Sequence, residues 1–445
     1  MLSHLPIGTK DENWFQENDG VFTISPETRR KHLAIFGATG AGKSTLMRNM
    51  IAWDIAAGDG VSVIDPHGQL IDDILNHHIP SSRTGDVIYF NPKDSDRAIP
   101  LNLLDSPGRE FDGLVVDNVM GIFKKLWPEA FAVGARMEDI FRNSFYALIE
   151  HPSPASLWNL PRFLTDFAYR TVILRKVTNP AVKIFFEHSF NAWTPQFREE
   201  AISPVLNKVR PFLTDPRIRA VIGPALTTFR FRDVIDGRKI LLCDLSKGAI
   251  GGDNARLLGS LILMQHKLAA LSRYDVPEED RIPHPLYAEE AHNFIGDFES
   301  FLSETRKFVV PLTIATQGIE SLPRDDVAAI FTNCGTLVSF RVSGSDALRL
   351  AGEFAMAIPA SDLQNLPDYT FYARTLKPLE RRATISASPT APQFLNAYPP
   401  FGAPDHPASR KSIVQTSAER WSRPRAELEA KLAKFSKRKF MAGRK

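Results

Sequence analysis

Residues 32–45 read His-Leu-Ala-Ile-Phe-Gly-Ala-Thr-Gly-Ala-Gly-Lys-Ser-Thr. A lysine and a hydroxyl directly after a glycine-rich loop form the Walker A pattern G-x-x-x-x-G-K-[ST], which holds a polyphosphate. The glycines let the loop wrap until successive backbone N–H groups, together with a helix N-terminus, converge on phosphate oxygens. Gly37, Ala38, Thr39, Gly40, Ala41, Gly42, Lys43, Ser44 and Thr45 are therefore the candidate nucleotide-binding residues. Lys43 is expected to reach the β- and γ-phosphates, and the Ser44 hydroxyl to enter the shell of a Mg2+ ion. The apolar run before the loop predicts a buried strand, and Leu46, Met47, Met50 and Ile51 after it predict a helix. That setting separates a phosphate loop from a chance glycine-rich turn. Without an N-K-x-D element to favour guanine, the expected nucleotide is ATP.

Hydrolysis needs an acid beside the metal and a base for water. The segment Pro285-Leu-Tyr-Ala-Glu289-Glu290-Ala-His292-Asn293 offers both at the end of a short apolar strand. Neighbouring side chains at a strand end point to opposite sides. Glu289 is assigned to the metal side, through water, and Glu290 to general-base work on the attacking water. A further strand, Leu312-Thr-Ile-Ala-Thr316-Gln317, ends in a polar pair whose Gln317 could bond the γ-phosphate or the lytic water. Arg306 lies in sequence between these two strands and could reach a neighbouring subunit's γ-phosphate. Such arginines are worth ~10³–10⁵ in rate in other NTPases. Taken alone it reads better as an exposed helical arginine.

The elements that must position these groups alternate. Strands are expected at 32–37, 61–65 and 87–91, with helices at 43–57 and 69–78 between them. This predicts a mostly parallel sheet covered by helices on both faces. The rhythm breaks at 108–230, where Phe111, Leu114, Val115, Val119, Ile122 and Phe123 keep helical spacing and prolines punctuate the run. An all-helical insertion is expected there. Alternation resumes with strands at 239–245, 286–289, 310–315 and 336–342 and helices at 253–272 and 297–307. Residues 1–30 read as a lead-in with one short strand at 21–24. Residues 388–410, rich in Pro, Ala and Ser, read as a linker before a single basic helix at 419–440. Trp421, Leu428, Leu432 and Phe435 share one face of that helix, which is expected to dock on the motor domain or on an adjacent subunit.

The 445 residues suffice for more than one domain, and 43% hydrophobic with 24% charged residues is a globular composition. Two cysteines, Cys243 and Cys334, argue against a disulfide framework and fit a reducing cytoplasm. No apolar stretch approaches the ~20 residues of a membrane span. The net charge of +3 conceals an asymmetry, because residues 408–445 hold 12 Lys/Arg against 3 Asp/Glu. A basic tail of this kind invites nucleic acid or an acidic partner. Arg438 and Lys439 in it, and Lys247 in the Lys-Gly-Ala-Ile-Gly-Gly segment, are the candidate DNA contacts.

With IFGATGAGKSTL at 35–46, SVIDPHGQLIDDIL at 62–75, ILLCDLSKGAIGG at 240–252, YAEEAHNF at 287–294 and SETRKFVVPLTIATQ at 303–317, the chain resembles the HerA–FtsK superfamily of motor ATPases. Within it, the likeness is to the TraD/TraG-type coupling proteins of conjugation. The resemblance implies an α/β, RecA-like P-loop NTPase over 31–107 and 231–387, with an all-helical inserted domain over 108–230. It implies ATP and Mg2+ as cofactors, and a ring, hexameric in expectation, that moves DNA. Arg306 and Gln317 then fall at the subunit interface, and Arg341 becomes a lesser candidate. Relaxase or secretion-channel proteins become expected partners. The Glu-Glu-Ala-His form of the acidic motif is closer to HerA-type members, so DNA processing or anti-phage defence is the alternative role. A nucleotide-gated scaffold with little hydrolysis is a second alternative. Coupling proteins usually begin with membrane helices, which this sequence lacks.

Overall fold

The computed structural model describes residues 4–10, 21–294, 298–320, 322–376 and 390–440. The portions of the expected lead-in, motor span, linker and tail at 1–3, 11–20, 295–297, 321, 377–389 and 441–445 lie outside the described residues.

An 11-stranded sheet organises the chain. Its strands are β1 (Leu5–Thr9), β2 (Val21–Ile24), β3 (His32–Phe36), β4 (Val61–Asp65) and β5 (Val87–Phe90). After a two-residue β6 (Arg97–Ala98) outside this sheet come β7 (Ile240–Asp244), β8 (Leu286–Ala288), β9 (Leu312–Thr316), β10 (Cys334–Ser339), β11 (Thr370–Thr375) and β12 (Gln393–Ala397). The spatial order is β2-β1-β12-β11-β10-β3-β9-β8-β4-β7-β5. Strands β10, β3, β9, β8, β4 and β7 pair in parallel. Every residue of β3, β4, β7, β8, β9 and β10 is buried, as expected of parallel strands covered on both faces.

The expected alternation of strand and helix is thus present, with three additions to the sheet. The lead-in supplies β1 as well as β2, Thr370–Thr375 supplies β11 where no strand was expected, and the expected linker supplies β12, which lies between β11 and β1. These segments pair antiparallel and extend the sheet past β10. The sequences of β1 and β12, LPIGT and QFLNA, are short, and the first carries both proline and glycine. They become strands because a neighbour's backbone ladder satisfies them. Gly8 shows how closely: a β-carbon there would stand 2.8 Å from the Asn396 carbonyl oxygen.

The chain divides into two compact units. One comprises Met1–Tyr89, Phe231–Ser246 and Ala269–Ser417 and holds the sheet. The other comprises Phe90–Arg230, Lys247–Leu268 and Ala418–Lys445. Between 108 and 230 the described residues of this second unit form no strand. Its helices Asp112–Leu126, Ala135–Ile149 and Pro195–Thr214 meet in an aromatic core: the Phe123 ring lies 5.1 Å from Phe141 and 5.9 Å from Phe145, and Trp127 lies 5.7 Å from Phe212.

The tail differs from the single helix expected at 419–440. Helix Arg410–Trp421 ends, Arg423–Pro424 forms a two-residue strand (β13) on β6, and a second helix runs from Arg425 to Lys437. Pro424 lacks an N–H and restricts the residue before it, which breaks the helix there. The apolar stripe splits accordingly. Trp421 faces Phe229 at 6.2 Å, while Leu428 and Leu432 are buried within the helical unit. There the Glu429 carboxylate accepts from Arg219 at 2.9 Å, and Arg162 donates to the Phe435 carbonyl at 2.7 Å. The docking surface of this helix is therefore the helical unit of its own chain.

Three of the buried histidines carry a stability signature. Burial pushes His32, His78 and His266 each down to about 4, from an ordinary 6.5. The unfolded chain therefore takes up protons first, so stability is complete above pH 6.5 and drains as pH falls toward 4. By pH 5 each should cost about 2 kcal/mol. We expect the urea-unfolding midpoint to fall continuously between pH 7 and pH 5.

Candidate functional site

Strand β3 delivers the loop at its carboxyl end, and helix Lys43–Ala56 follows. Gly40 at φ 82° and Gly42 at φ 117° occupy the left-handed region that lets the loop turn into the helix. The Gly37 N–H donates to the Thr316 carbonyl of β9 at 3.3 Å, and the Ala38 N–H to the Arg341 carbonyl at 2.7 Å, so both neighbouring strands frame the loop. The Lys43 ammonium donates to the Gly37 carbonyl at 2.6 Å and to the Ala38 carbonyl at 3.1 Å. Burial lowers the pKa of Lys43, against the pull of Glu290 and Glu289. Thr39 and Gly40 at the loop's crest are exposed, as is Ser44 at the helix start.

Strand β8 lies two places from β3 and ends at Ala288, so Glu289 and Glu290 emerge beside the loop. The Ser44 hydroxyl donates to Glu289 Oε1, joining loop and acidic strand end directly. The Asp65 carboxyl, at the end of β4, is hydrogen-bonded to the Glu289 carboxyl as well. Burial, and next the charge of Asp65, push Glu289 up to about 7. Glu290 adopts φ 47°, a left-handed conformation costly for a residue with a β-carbon. Its Oε2 is buried without a hydrogen-bond partner and lies 3.4 Å from His292 Nδ1. The same His292 nitrogen is 3.3 Å from the Thr316 hydroxyl. The hydroxyl and carboxylate oxygens, with one buried oxygen unsatisfied, suit a hard divalent cation such as Mg2+.

Gln317 follows Thr316 on the strand next to β3 and is exposed. Arg306 stands elsewhere. It is exposed, and its charge acts on Lys31 and His32 at the opposite end of β3 from the loop. Five residues of strand separate the two ends, roughly 16 Å. The guanidinium of Arg341 pairs with Asp368 at 2.9 Å. Lys247 begins a helical turn, Lys247–Ile250, in the helical unit, and Arg438 and Lys439 are exposed at the end of the tail helix in that same unit.

Residues 23–94, covering β3, the loop, its helix and β4, match the family described as "Helicase HerA, central domain". The bacterial plasmid coupling protein TrwB, solved with ADP and Mg2+, superposes with a TM-score of 0.63 at 17% identity, over 91% of this chain and 95% of that one. Its unbound form gives 0.61 at 16% identity, over 90% and 95%. VirB4 of Thermoanaerobacter pseudethanolicus gives 0.56 at 12% identity, over 90% and 97%. The chain has the fold of these TrwB and VirB4 structures. No curated protein sequence matches it significantly.

Asp65, His292 and Thr316 are not among the site residues expected from the sequence. Asp65 had a readable signal: an acid closing a buried strand, Val61–Asp65, in the same manner as Glu289. His292 and Thr316 sit in motifs visible in the sequence, but only the adjacency of β8 and β9 brings them together.

The loop's glycines give a direct test of its packing. A β-carbon at Gly40 meets nothing within 4 Å, so Gly40→Ala should cost only the left-handed backbone penalty, about 1–2 kcal/mol. At Gly42 the same atom would lie 3.0 Å from the Phe340 ring and 3.1 Å from the Tyr369 ring. Gly42→Ala should therefore lower the thermal midpoint clearly more than Gly40→Ala, as read by scanning calorimetry of the two variants.

Proposed function

We propose that this chain is an ATP-hydrolysing DNA translocase of coupling-protein type that works as a closed, hexameric ring. The observation that carries the reading is the junction of Ser44 with Glu289, with Glu290 beside it. Phosphate-binding, metal-side and base groups converge at one end of the sheet. Mg2+, held by Ser44 and through water by Glu289, supplies charge neutralisation on the phosphates when bound. On nucleotide entry Lys43 exchanges the Gly37 and Ala38 carbonyls for β- and γ-phosphate oxygens. Glu290 orients the lytic water and accepts its proton, and its backbone strain is of the sort retained where surroundings fix a working side chain. Gln317, directly after the strand that receives the Gly37 N–H, responds to the γ-phosphate.

Arg306 is assigned to a neighbour's site, because it lies too far along β3 to serve its own. A head-to-tail interface that closes into a ring would bring it there. Lys247, Arg438 and Lys439 are assigned to DNA phosphates, and a relaxase or secretion-channel protein to the docking partner. The match of residues 23–94 to the HerA central domain supports a second reading, HerA-like DNA processing or defence with the same chemistry.

Multiple-turnover ATP hydrolysis with and without DNA tests the reading. Glu290→Gln should keep nucleotide binding and lose about 10²–10⁴ in turnover. Turnover at the wild-type rate would remove Glu290 as the base.

Arg306→Ala should abolish turnover in rings whose subunits still bind ATP. Mixing it with Lys43→Ala protein should restore part of the activity, since some interfaces then pair an intact Lys43 with an intact Arg306. No recovery in mixtures shown to exchange subunits would exclude an arginine acting in trans.

A further inference from the structure

Tyr369 stands against the phosphate loop in a conformation that needs a reason. It has a φ of 63°, in the left-handed region, yet it is an aromatic residue, and it is 53% exposed. Its backbone is fixed on both sides: the N–H donates to the Ala41 carbonyl of the loop at 2.9 Å, and the carbonyl accepts from the Ala397 N–H at 2.7 Å. Its ring packs where the β-carbon of any larger residue at Gly42 would go, 3.1 Å away. The preceding Asp368 pairs with Arg341, whose carbonyl receives the Ala38 N–H. The turn before β11 is thus bound to the loop through main chain and ion pair, and it holds a half-exposed ring at the loop's edge. Backbone strain in an exposed aromatic is retained only where the surroundings impose it.

The order of the sheet decides which part of a nucleotide would reach this ring. On one side of β3 lie β9 and β8, which carry Gln317, Glu289 and Glu290. The terminal phosphate must face that side, where Ser44 already meets Glu289. The base must then leave the loop toward the other side, where β10 and β11 lie and where Tyr369 immediately precedes β11. We propose that Tyr369 is the platform on which the base of the bound nucleotide stacks. The proposal rests on the nucleotide-binding reading of the loop. A stacking face accepts any base, so Tyr369 contributes affinity for adenine and guanine nucleotides alike and does not choose between them.

The test is calorimetric titration of the full chain with ADP, GDP and inorganic tripolyphosphate, each with Mg2+. Glycine adopts positive φ freely, so Tyr369→Gly should leave the thermal midpoint unchanged or raise it. It should weaken ADP and GDP by about 5- to 100-fold while leaving tripolyphosphate affinity intact. Tyr369→Phe, which keeps the ring, should bind ADP within about two-fold of wild type and guards against misfolding of the glycine variant. Unchanged ADP affinity in Tyr369→Gly would overturn the platform, and so would equal losses of ADP and tripolyphosphate. A wild-type chain that binds neither ADP nor tripolyphosphate would overturn the reading of the loop itself, an outcome distinct from both.

Discussion

A buried ion pair registers the phosphate-loop helix on the sheet. Arg29 Nη2 lies 2.5 Å from Asp54 Oδ1, with both side chains almost wholly removed from solvent. The Tyr287 hydroxyl of β8 donates to the other oxygen of Asp54 at 2.6 Å. Burial works against the charge of Arg29, yet Asp54 holds its pKa above the ordinary value. Stripping a buried pair of one partner costs about 3–5 kcal/mol, because the remaining charge is left without compensation. The arrangement pins three segments: the short helix before β3, the far end of helix Lys43–Ala56, and the strand that ends in Glu289 and Glu290. Ser44 at the near end of the same helix meets Glu289. Helix and acidic strand are therefore fixed at two points, and the distance between loop and carboxylates has little freedom.

That fixity lets the site hold groups that repel one another. Asp65, Glu289 and Glu290 crowd the carboxyl ends of β4 and β8. Asp65 is stabilised by the backbone N–H groups of His67 at 2.7 Å and Ile71 at 3.2 Å, at the start of the helix Gln69–His77. Glu289, buried beside it, gives up part of its acidity, and Glu290 keeps one oxygen unsatisfied. Lys43 rests on loop carbonyls within the field of both glutamates. Buried polar groups left partly satisfied are costly in a core. Here they collect at the mouth of a phosphate loop, together with the strained backbone of Glu290 and Tyr369.

The helical unit is held by different physics. Ring-on-ring packing of Phe123, Phe141, Phe145 and Trp127 supplies its centre. At its edge Arg162 lies over the rings of Tyr169, Phe435 and Phe440 at 5.5, 5.4 and 4.7 Å while donating to the Phe435 carbonyl. The basic tail helix is thereby tied down by its apolar stripe, while its Glu427–Lys431 pair at 2.7 Å stays on the solvent side. Exposed pairs of that spacing add little once screened by solvent, so burial of Leu428 and Leu432 dominates its docking.

The sequence by itself determined whatever is encoded by local pattern. Continuous apolar runs such as Leu33–Phe36 have no stable fate except burial on both faces, and a glycine-rich turn set between such a strand and a helix opening with Lys43 and Ser44 is the Walker A pattern. The parallel sheet, the helical character of 108–230 and the emergence of Glu289 and Glu290 at a strand end were legible for that reason. Tertiary structure alone decided the rest. It made strands of Leu5–Thr9 and Gln393–Ala397 by offering them a ladder, and paired Arg423–Pro424 with β6 once Pro424 had broken the tail helix. It also brought Asp65 against Glu289, His292 against Thr316 and Tyr369 against Gly42. Those contacts join residues up to hundreds of positions apart, and their energies depend on strand order and burial, which no local window of residues contains.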